Sequence, residues 1–303
     1  MKKQTETSVV ILNYNDKLSV IKLIQQLRNQ TYKKTEIIVV DNNSSDGSIG
    51  FIQKKFPGVK LIRNRQNIGA SAKNIGIAAA RGRFVVVLDN DIIIDRFCVK
   101  KFVHKLKLNK NLGIACSEVF DYQTQKFIGP NHALSGNNQI GFRVSFFAGS
   151  AIAIRKSLLA AVGGFSQKYF MCLEELEWAV RILKAGYEIK CFPDIKVFNK
   201  KTEVGGSYRK RQGFWYSRNW IWFYIQYLPF PDIISFLNLH RRSVIYKTKS
   251  SRTMKLFDCL FGLVVGIITS PYFLFKREPL KKSIVDRIKL DLFPNPYHLY
   301  VNH

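Results

Sequence analysis

The sequence predicts an α/β fold on a mostly parallel sheet, and three observations lead there. Short apolar runs alternate with segments of helical periodicity. The connections between them are brief. The runs end in Asn13, Asp41 and Asp89, polar residues of the kind that gather at the carboxyl edge of such a sheet.

Ser8–Leu12 is the first strand, and the polar turn Asn13–Asp16 follows it. Lys17–Asn29 carries Leu18, Ile21, Ile24 and Leu27 at helical spacing. Glu36–Val40 is the second strand, and Asp41-Asn42-Asn43-Ser44-Ser45-Asp46-Gly47 is a turn by composition. A short helix over Ile49–Phe56 follows, with Asp46 placed to cap it. Val59–Ile62 reads as the third strand. Asn67-Ile68-Gly69 makes a turn before an alanine-rich helix over Ala70–Ala80, and Phe84–Leu88 is the fourth strand. No G-x-G-x-x-G follows the first strand and no G-x-x-x-x-G-K-[ST] occurs, so a dinucleotide-binding domain or P-loop is not indicated.

Asp89-Asn90-Asp91 ends that fourth strand. Alternate residues near a strand end can face one way, so the two carboxylates can hold a divalent metal against a diphosphate. Asp41 ends the second strand, where it can orient a ribose or base or serve as the Asx residue of its turn. Gly149–Ile154 is a later apolar strand, and Ser145 to Gly149 would bring backbone near a ligand, where small residues permit close approach. Asp121 to Gly141 lacks pattern and reads as an insertion or a lid. Further on, Leu173, Leu176, Val180 and Leu183 share a helical face, and Glu174, Glu175 and Glu177 cluster at its start. Acidic residues favour a helix N-terminus, and Glu177 can pair with Arg181. One of the three can instead act as a general base.

The chain has 303 residues, 47% of them hydrophobic, enough for one or two domains. Five cysteines without a C-x-x-C pair argue against a zinc site or disulfide framework and fit a reducing cytoplasm. The polar start MKKQTETS leads straight into a strand, so no signal peptide is expected. A net charge of +27 calls for an anionic partner, nucleic acid or anionic lipid. Acidic residues at 41, 89, 91 and 174–175 would repel nucleic acid and weigh against it. From Lys196 onward there are 19 Lys/Arg against 6 Asp/Glu, and 208–231 mixes cations with Trp and Tyr. That mixture suits a membrane interface, or a helix packed on the rest of the chain. Cys259–Phe275 holds no charge across 17 residues but contains Pro271. It is short of the roughly 20 residues a span needs, and reads as a buried or interfacial helix pair or a re-entrant hairpin. The tail from Glu278, with Pro294 and Pro296, is expected to wrap the surface.

Seven strings together resemble the inverting glycosyltransferases of family 2, which have the GT-A fold: SVVILNYN (8–15), EIIVVDNNSSDGS (36–48), NIGASAKNIGIAAARG (67–82), VVVLDND (85–91), FFAGSAIAIRKS (146–157), GGF (163–165) and EELEWAVRILKAGYEI (174–189). The nearest likeness is to rhamnosyltransferase-like members. The resemblance implies a nucleotide-diphospho-sugar transferase-like catalytic domain over 1–205 and a basic, mainly helical, membrane-associating region over 206–303. It places Asn13 beside the nucleotide base and gives Asp41 the base or ribose contact. Lys73 and Asn74 fall in a donor-side helix, with Asn74 shaping the sugar pocket. Asp89 falls to the nucleotide sugar, and Asp91 to a Mg2+ or Mn2+ ion, with Asp89 and Asn199 as further candidate ligands. Where the family has Glu-Asp-x-Asp this chain has Glu174-Glu175-Leu176-Glu177, which makes Glu175 the expected base. Gly149, Glu174, Glu177 and Trp178 fall on the acceptor side or behind it. Asn199 stands where the family has a histidine, with Ser207 after it, and Lys200, Lys201 or Arg209 can supply charge to the diphosphate.

The implied activity is transfer of a sugar, rhamnose from dTDP-rhamnose as best guess, to a lipid-linked or growing cell-surface polysaccharide. The setting would be the cytoplasmic side of the membrane, held peripherally by an anionic surface. A nucleotidyltransferase-like enzyme and a nucleic-acid-binding module are the alternatives.

Overall fold

The computed structural model describes residues 5–129, 141–200, 211–250 and 255–292. The first half runs β1 (Thr7–Asn13), α1 (Lys17–Arg28), β2 (Thr35–Asp41), α2 (Ser48–Lys55) and β3 (Lys60–Arg63). A 3-10 turn (Gly69–Ala72) then runs into α3 (Lys73–Ala79), and β4 (Phe84–Asp89) follows. Gly47 (φ 76°), not Asp46, is the N-cap of α2; Asp46 sits one residue earlier and accepts from Ser48 N at 3.0 Å, while its other oxygen takes Lys17 N at 2.7 Å. The alanine-rich helix is shorter than its composition predicts, because its first three residues, Ala70 to Ala72, are wound into the tighter turn.

After β4 come β5 (Ile92–Ile94), α4 (Cys98–Leu108), β6 (Leu112–Asp121), β7 (Phe127–Gly129), β8 (Phe142–Arg143), β9 (Ala151–Arg155), α5 (Leu158–Val162), α6 (Glu174–Lys184) and β10 (Glu188–Asn199). The sheet order is β3-β2-β1-β4-β9-β6-β10-β5, with β7 and β8 paired at its side. Strands β3, β2, β1 and β4 are mutually parallel, and so are β6 and β10. The sheet is nevertheless mixed: β9 lies antiparallel between β4 and β6, and β5 runs antiparallel to β10. Register sets Asn13 beside Asp41, and Leu12 beside Asp89, so the polar ends of three strands are level.

Alternate residues of β1 feed two cores. Val9 and Ile11 join Val20 and Leu23 of α1 and Phe102 of α4, while Val10 joins Ile77 of α3 and Trp178 of α6. Strands buried on both faces need apolar residues throughout, which is why they read as continuous runs.

The C-terminal helices are α7 (Gln212–Tyr227), α8 (Phe230–Ser250), α9 (Leu256–Ile268), α10 (Pro271–Phe275) and α11 (Lys282–Leu292). A third core joins Leu176 and Val180 of α6 to Trp220, Phe223 and Tyr224 of α7, Phe236 of α8 and Ile288 of α11. The α7 aromatics are therefore interior, not a membrane belt. The tail from Glu278 is likewise more than a wrapping. Lys282 and Lys289 clamp Asp232 at 2.8 and 3.0 Å, and Asp291 accepts from Ser145 N at 2.6 Å. Among the described residues no helix is long and apolar enough to cross a membrane, and Cys259–Phe275 is divided between α9 and α10.

Candidate active site

Three strand ends meet at Asn13. Its Nδ2 donates to Asp41 Oδ1 (3.0 Å), Ser44 Oγ (3.3 Å) and Ser48 Oγ (3.0 Å), and its Oδ1 accepts from Asn90 Nδ2 (3.0 Å). Asn13 and Asp41 are fully buried. Asp41 Oδ2 accepts from Ser44 N at 2.9 Å, so the Asx-turn reading of Asp41 is realised in the geometry. These side chains brace the 41–48 turn from inside. Asn90, the middle residue of D-x-D, is the link that a motif search for carboxylates passes over.

Beside this lattice lies a charged cluster. Lys73, the first residue of α3, is 3% exposed. Its Nζ pairs with Asp89 Oδ1 at 2.8 Å and donates to Gly149 O at 3.2 Å. Burial alone would lower the ammonium's pKa, but the carboxylates of Asp89 and Glu175 outweigh it and the pKa is raised. Glu175 is half-buried, and desolvation pushes its carboxyl above the ordinary range, while Lys73 and the Gly149 N–H pull the other way. A Cβ on Gly149 would stand 2.5 Å from Glu175 Oε1, so a larger residue there would displace that carboxylate. Glu174 is pushed further up by burial and by Glu175, and its Oε2 has no hydrogen-bond partner among the described residues. Lys73, Asp89, Gly149, Glu174 and Glu175 are thus one assembly: a cation, three carboxyls and a carbonyl, largely out of water.

The other expected residues support it. Asn74 spends both ends of its amide on Phe165, accepting from N at 2.9 Å and donating to O at 2.8 Å. It fixes the 163–165 loop. Trp178 is fully buried between Phe165 and Phe147, and its Nε1 donates to Gly163 O at 3.0 Å. Glu177 points to the opposite side of α6, where Arg181 binds it in bidentate fashion (2.8 and 2.7 Å) and Tyr227 donates to it at 2.8 Å. The Glu177–Arg181 pairing read from the sequence is present.

Asp91 lies at a partly exposed corner, where Asn199 Nδ2 donates to its Oδ1 at 3.3 Å and Lys200 N to its backbone carbonyl at 2.9 Å. The antiparallel β5–β10 pair brings these distant residues together. Lys201, Ser207 and Arg209 lie outside the described residues, as does 130–140 of the unpatterned stretch.

A further set of residues is not signalled by any motif. Cys172 (φ 67°) and Leu173 (φ 66°) both adopt the left-handed conformation immediately before Glu174. Each such residue without glycine costs roughly 1–2 kcal/mol. Asn219 of α7, fully buried, holds the bend by donating to Met171 O at 2.8 Å and Cys172 O at 2.7 Å. Phe170, in the same segment, accepts from Ala70 N at 3.1 Å. A Cβ on Gly69 (φ +67°) would lie 1.9 Å from that carbonyl, so Gly69 is required by contact as well as by conformation. Asn219→Ala is expected to lower stability by about 1–3 kcal/mol, the cost of stranding buried carbonyls. Thermal unfolding of the variant beside wild type checks it.

The mixed sheet, its aligned polar strand ends and the glutamates of α6 define a GT-A-like α/β protein. The chain is similar to the mannosyltransferase PcManGT from Pyrobaculum calidifontis, solved with GDP-Man and Mn2+. The TM-score is 0.57 at 18% identity, over 91% of this chain and 73% of that one. The chain belongs to glycosyl transferase family 2, whose model matches residues 8–163. It is 24% identical over 265 residues to the probable glycosyltransferase YdaM of Bacillus subtilis (strain 168), covering 81% of this chain and 61% of that protein. It is 23% identical over 178 residues to the O-antigen chain rhamnosyltransferase WbaN of Salmonella anatum, covering 54% of this chain and 55% of that one. The chain therefore spans less than two thirds of the length of these relatives.

Proposed function

We propose that this chain is an inverting glycosyltransferase that moves a sugar from a nucleotide-diphospho-sugar donor to a glycan hydroxyl. The observation that carries the reading is the buried cluster in which Lys73 and Gly149 hold Asp89 and Glu175 together. Nucleotidyl transfer needs no such base beside the D-x-D carboxylate.

Glu175 accepts the acceptor hydroxyl's proton as that oxygen bonds to the anomeric carbon. The bond from that carbon to the diphosphate breaks, and the diphosphate leaves with the electron pair. Lys73 favours the ionised form of Glu175 and orients Asp89 toward the donor sugar. The Glu174 carboxyl is pushed upward by burial and by the neighbouring Glu175. Asn13, Asp41 and Asn90 keep the base-side turn in place.

The donor set at Asp91 fits a hard divalent ion. One carboxylate beside one amide, at a partly exposed corner, suits an ion that fills its shell with diphosphate oxygens and water. Among the described residues no group of three or more His, Cys, Asp and Glu is placed to hold a metal ion. Asp91 would hold Mg2+ or Mn2+ with Asn199 beside it, and when bound the ion would neutralise the leaving diphosphate. Asp89 is committed to Lys73 and is the weaker candidate ligand.

The likeness to WbaN supports rhamnose from dTDP-rhamnose as donor and a growing surface polysaccharide as acceptor. A lipid-linked acceptor suits the strongly basic chain, which would work at the cytoplasmic side of a membrane. Titration with dTDP-, UDP- and GDP-linked sugars, with and without Mn2+ or Mg2+, tests this. One donor is expected to bind in a metal-dependent way, and Asp91→Ala to lose that dependence. If no nucleotide sugar binds, the assignment of Asp89 and Asp91 fails.

A further inference from the structure

Helix α9 is packed inside out. Its small residues face the protein: Cys259, Gly262 and Gly266 are buried against α7. A Cβ on Gly262 would meet Phe214 O at 2.3 Å, and one on Gly266 would lie 3.1 Å from Arg218 O. The glycines let the two backbones approach closely. The large apolar residues occupy the opposite face. Phe257, Leu260, Phe261, Val264, Ile267 and Ile268 are all exposed, Phe257 at 77% and Ile268 at 70%. Its one acidic residue, Asp258, is turned toward Gly213 on the α7 side. Helix α10 continues the surface and ends in Phe275, 92% exposed.

A water-facing helix puts its large apolar residues inward. Here they point out, in a contiguous patch of a kind that marks an interaction site. Cations border it. Lys255 precedes α9, and exposed Lys276 follows Phe275. Lys168 sits 4.8 Å over the ring of Tyr272, and Arg277 lies 3.8 Å over exposed Phe230. Rings and cations at the edge of an apolar face match the headgroup layer of a bilayer. With 13 residues, α9 is roughly 20 Å long against a hydrocarbon core of about 30 Å, so it can lie in the interface but not cross.

We infer that the α9–α10 face is a docking surface for an anionic phospholipid bilayer, with the apolar residues seated at acyl depth and the bordering cations on lipid phosphates. This deepens the membrane setting proposed above by naming the surface that makes the contact. A second copy of the chain suits the face poorly, because it would bring two cationic borders together on molecules of charge +27. An anionic surface turns the same charge into attraction, worth about fivefold in partitioning per lysine or arginine near the membrane.

The test is co-sedimentation of the full chain with vesicles of phosphatidylcholine alone, or mixed with phosphatidylglycerol, at physiological salt. The wild-type chain is expected to bind the mixed vesicles and to bind the neutral ones at least about tenfold more weakly. The triple variant Phe261→Glu, Ile267→Glu, Phe275→Glu, at exposed positions outside the catalytic machinery, should lose on the order of a hundredfold in partitioning. Its circular dichroism and donor affinity should be unchanged. Lys276→Glu should weaken binding by itself and steepen the salt dependence less than wild type. Failure of wild type to bind mixed vesicles overturns the inference, and so does undiminished binding by the triple variant. A concentration-dependent dimer that the triple variant abolishes, with no vesicle binding, overturns it in favour of self-association. Donor binding without vesicles is scored separately, so its loss would count against the transferase reading and leave the docking surface standing.

Discussion

Glu175→Gln is expected to lower turnover by about 10²–10⁴-fold, the range for losing a positioned general base. Donor affinity should hold, because Asp89 keeps Lys73 and glutamine occupies nearly the same volume. The pH profile gives a second reading. Burial raises the Glu175 pKa above the ordinary glutamate value, and only the ionised form accepts a proton. The acid limb of kcat/KM should therefore fall above about pH 4.3, the unperturbed glutamate value, and disappear from the residual rate of the variant. Linkage fixes the sign for stability. A carboxyl whose folded pKa is raised gives a contribution that is full below its unfolded pKa and is lost as pH rises through the folded one. The stability of wild type relative to the glutamine variant should fall with pH across that window. Chemical denaturation at several pH values measures it. A variant retaining full turnover on a wild-type pH profile would remove Glu175 from the mechanism.

Lys73→Met carries the other large effect. Methionine matches the volume but leaves Asp89, Glu174 and Glu175 around a site with no cation. Breaking a buried pair by removing one partner costs about 3–5 kcal/mol. The lower end applies here, because the Asp89 side chain keeps 33% of its surface in water. Turnover should fall too, and the acid limb should move to higher pH as Glu175 loses the charge that favours its ionisation. Lys73→Met combined with Asp89→Asn should recover part of the stability and none of the activity. A double-mutant cycle from denaturant unfolding isolates the pair. A strictly additive result would mean that the 2.8 Å contact contributes nothing.

Much of this was legible in the chain. The strands at 8–12, 36–40 and 84–88 read clearly because both their faces are buried, whereas the cap of α2 fell to Gly47 and not to Asp46. Glu174, Glu175 and Glu177 stood out as a group, but their division of labour did not. Side-chain direction around a helix sends Glu175 to Gly149 and Glu177 to Arg181 and Tyr227. Periodicity carries no strand direction, so β9 could not be seen to insert antiparallel between β4 and β6. Gly69 looked like an ordinary turn glycine, because the carbonyl it must clear belongs to Phe170. Asn219 lay hidden for the same reason: its partners are the carbonyls of Met171 and Cys172, and no residue type advertises a backbone contact. For Cys259–Phe275, composition gave the apolarity and left the facing open. The glycines at 262 and 266 decide it, since they mark the side that meets α7.

The sharing of α6 between two cores has a consequence for how the protein is made. Leu176 and Val180 are covered by Trp220, Phe223 and Tyr224, and the same core closes on Ile288 near the end of the described chain. Chains are synthesised from the N-terminus, and early segments fold first. Helix α6 therefore leaves the ribosome with its outer stripe bare, and Glu177 waits for the hydroxyl of Tyr227. Throughout that interval the nascent sheet carries an open apolar flank of the sort chaperones grip. The protein's interior is sealed late in translation, by the same C-terminal helical region that carries α9 and its outward-facing phenylalanines.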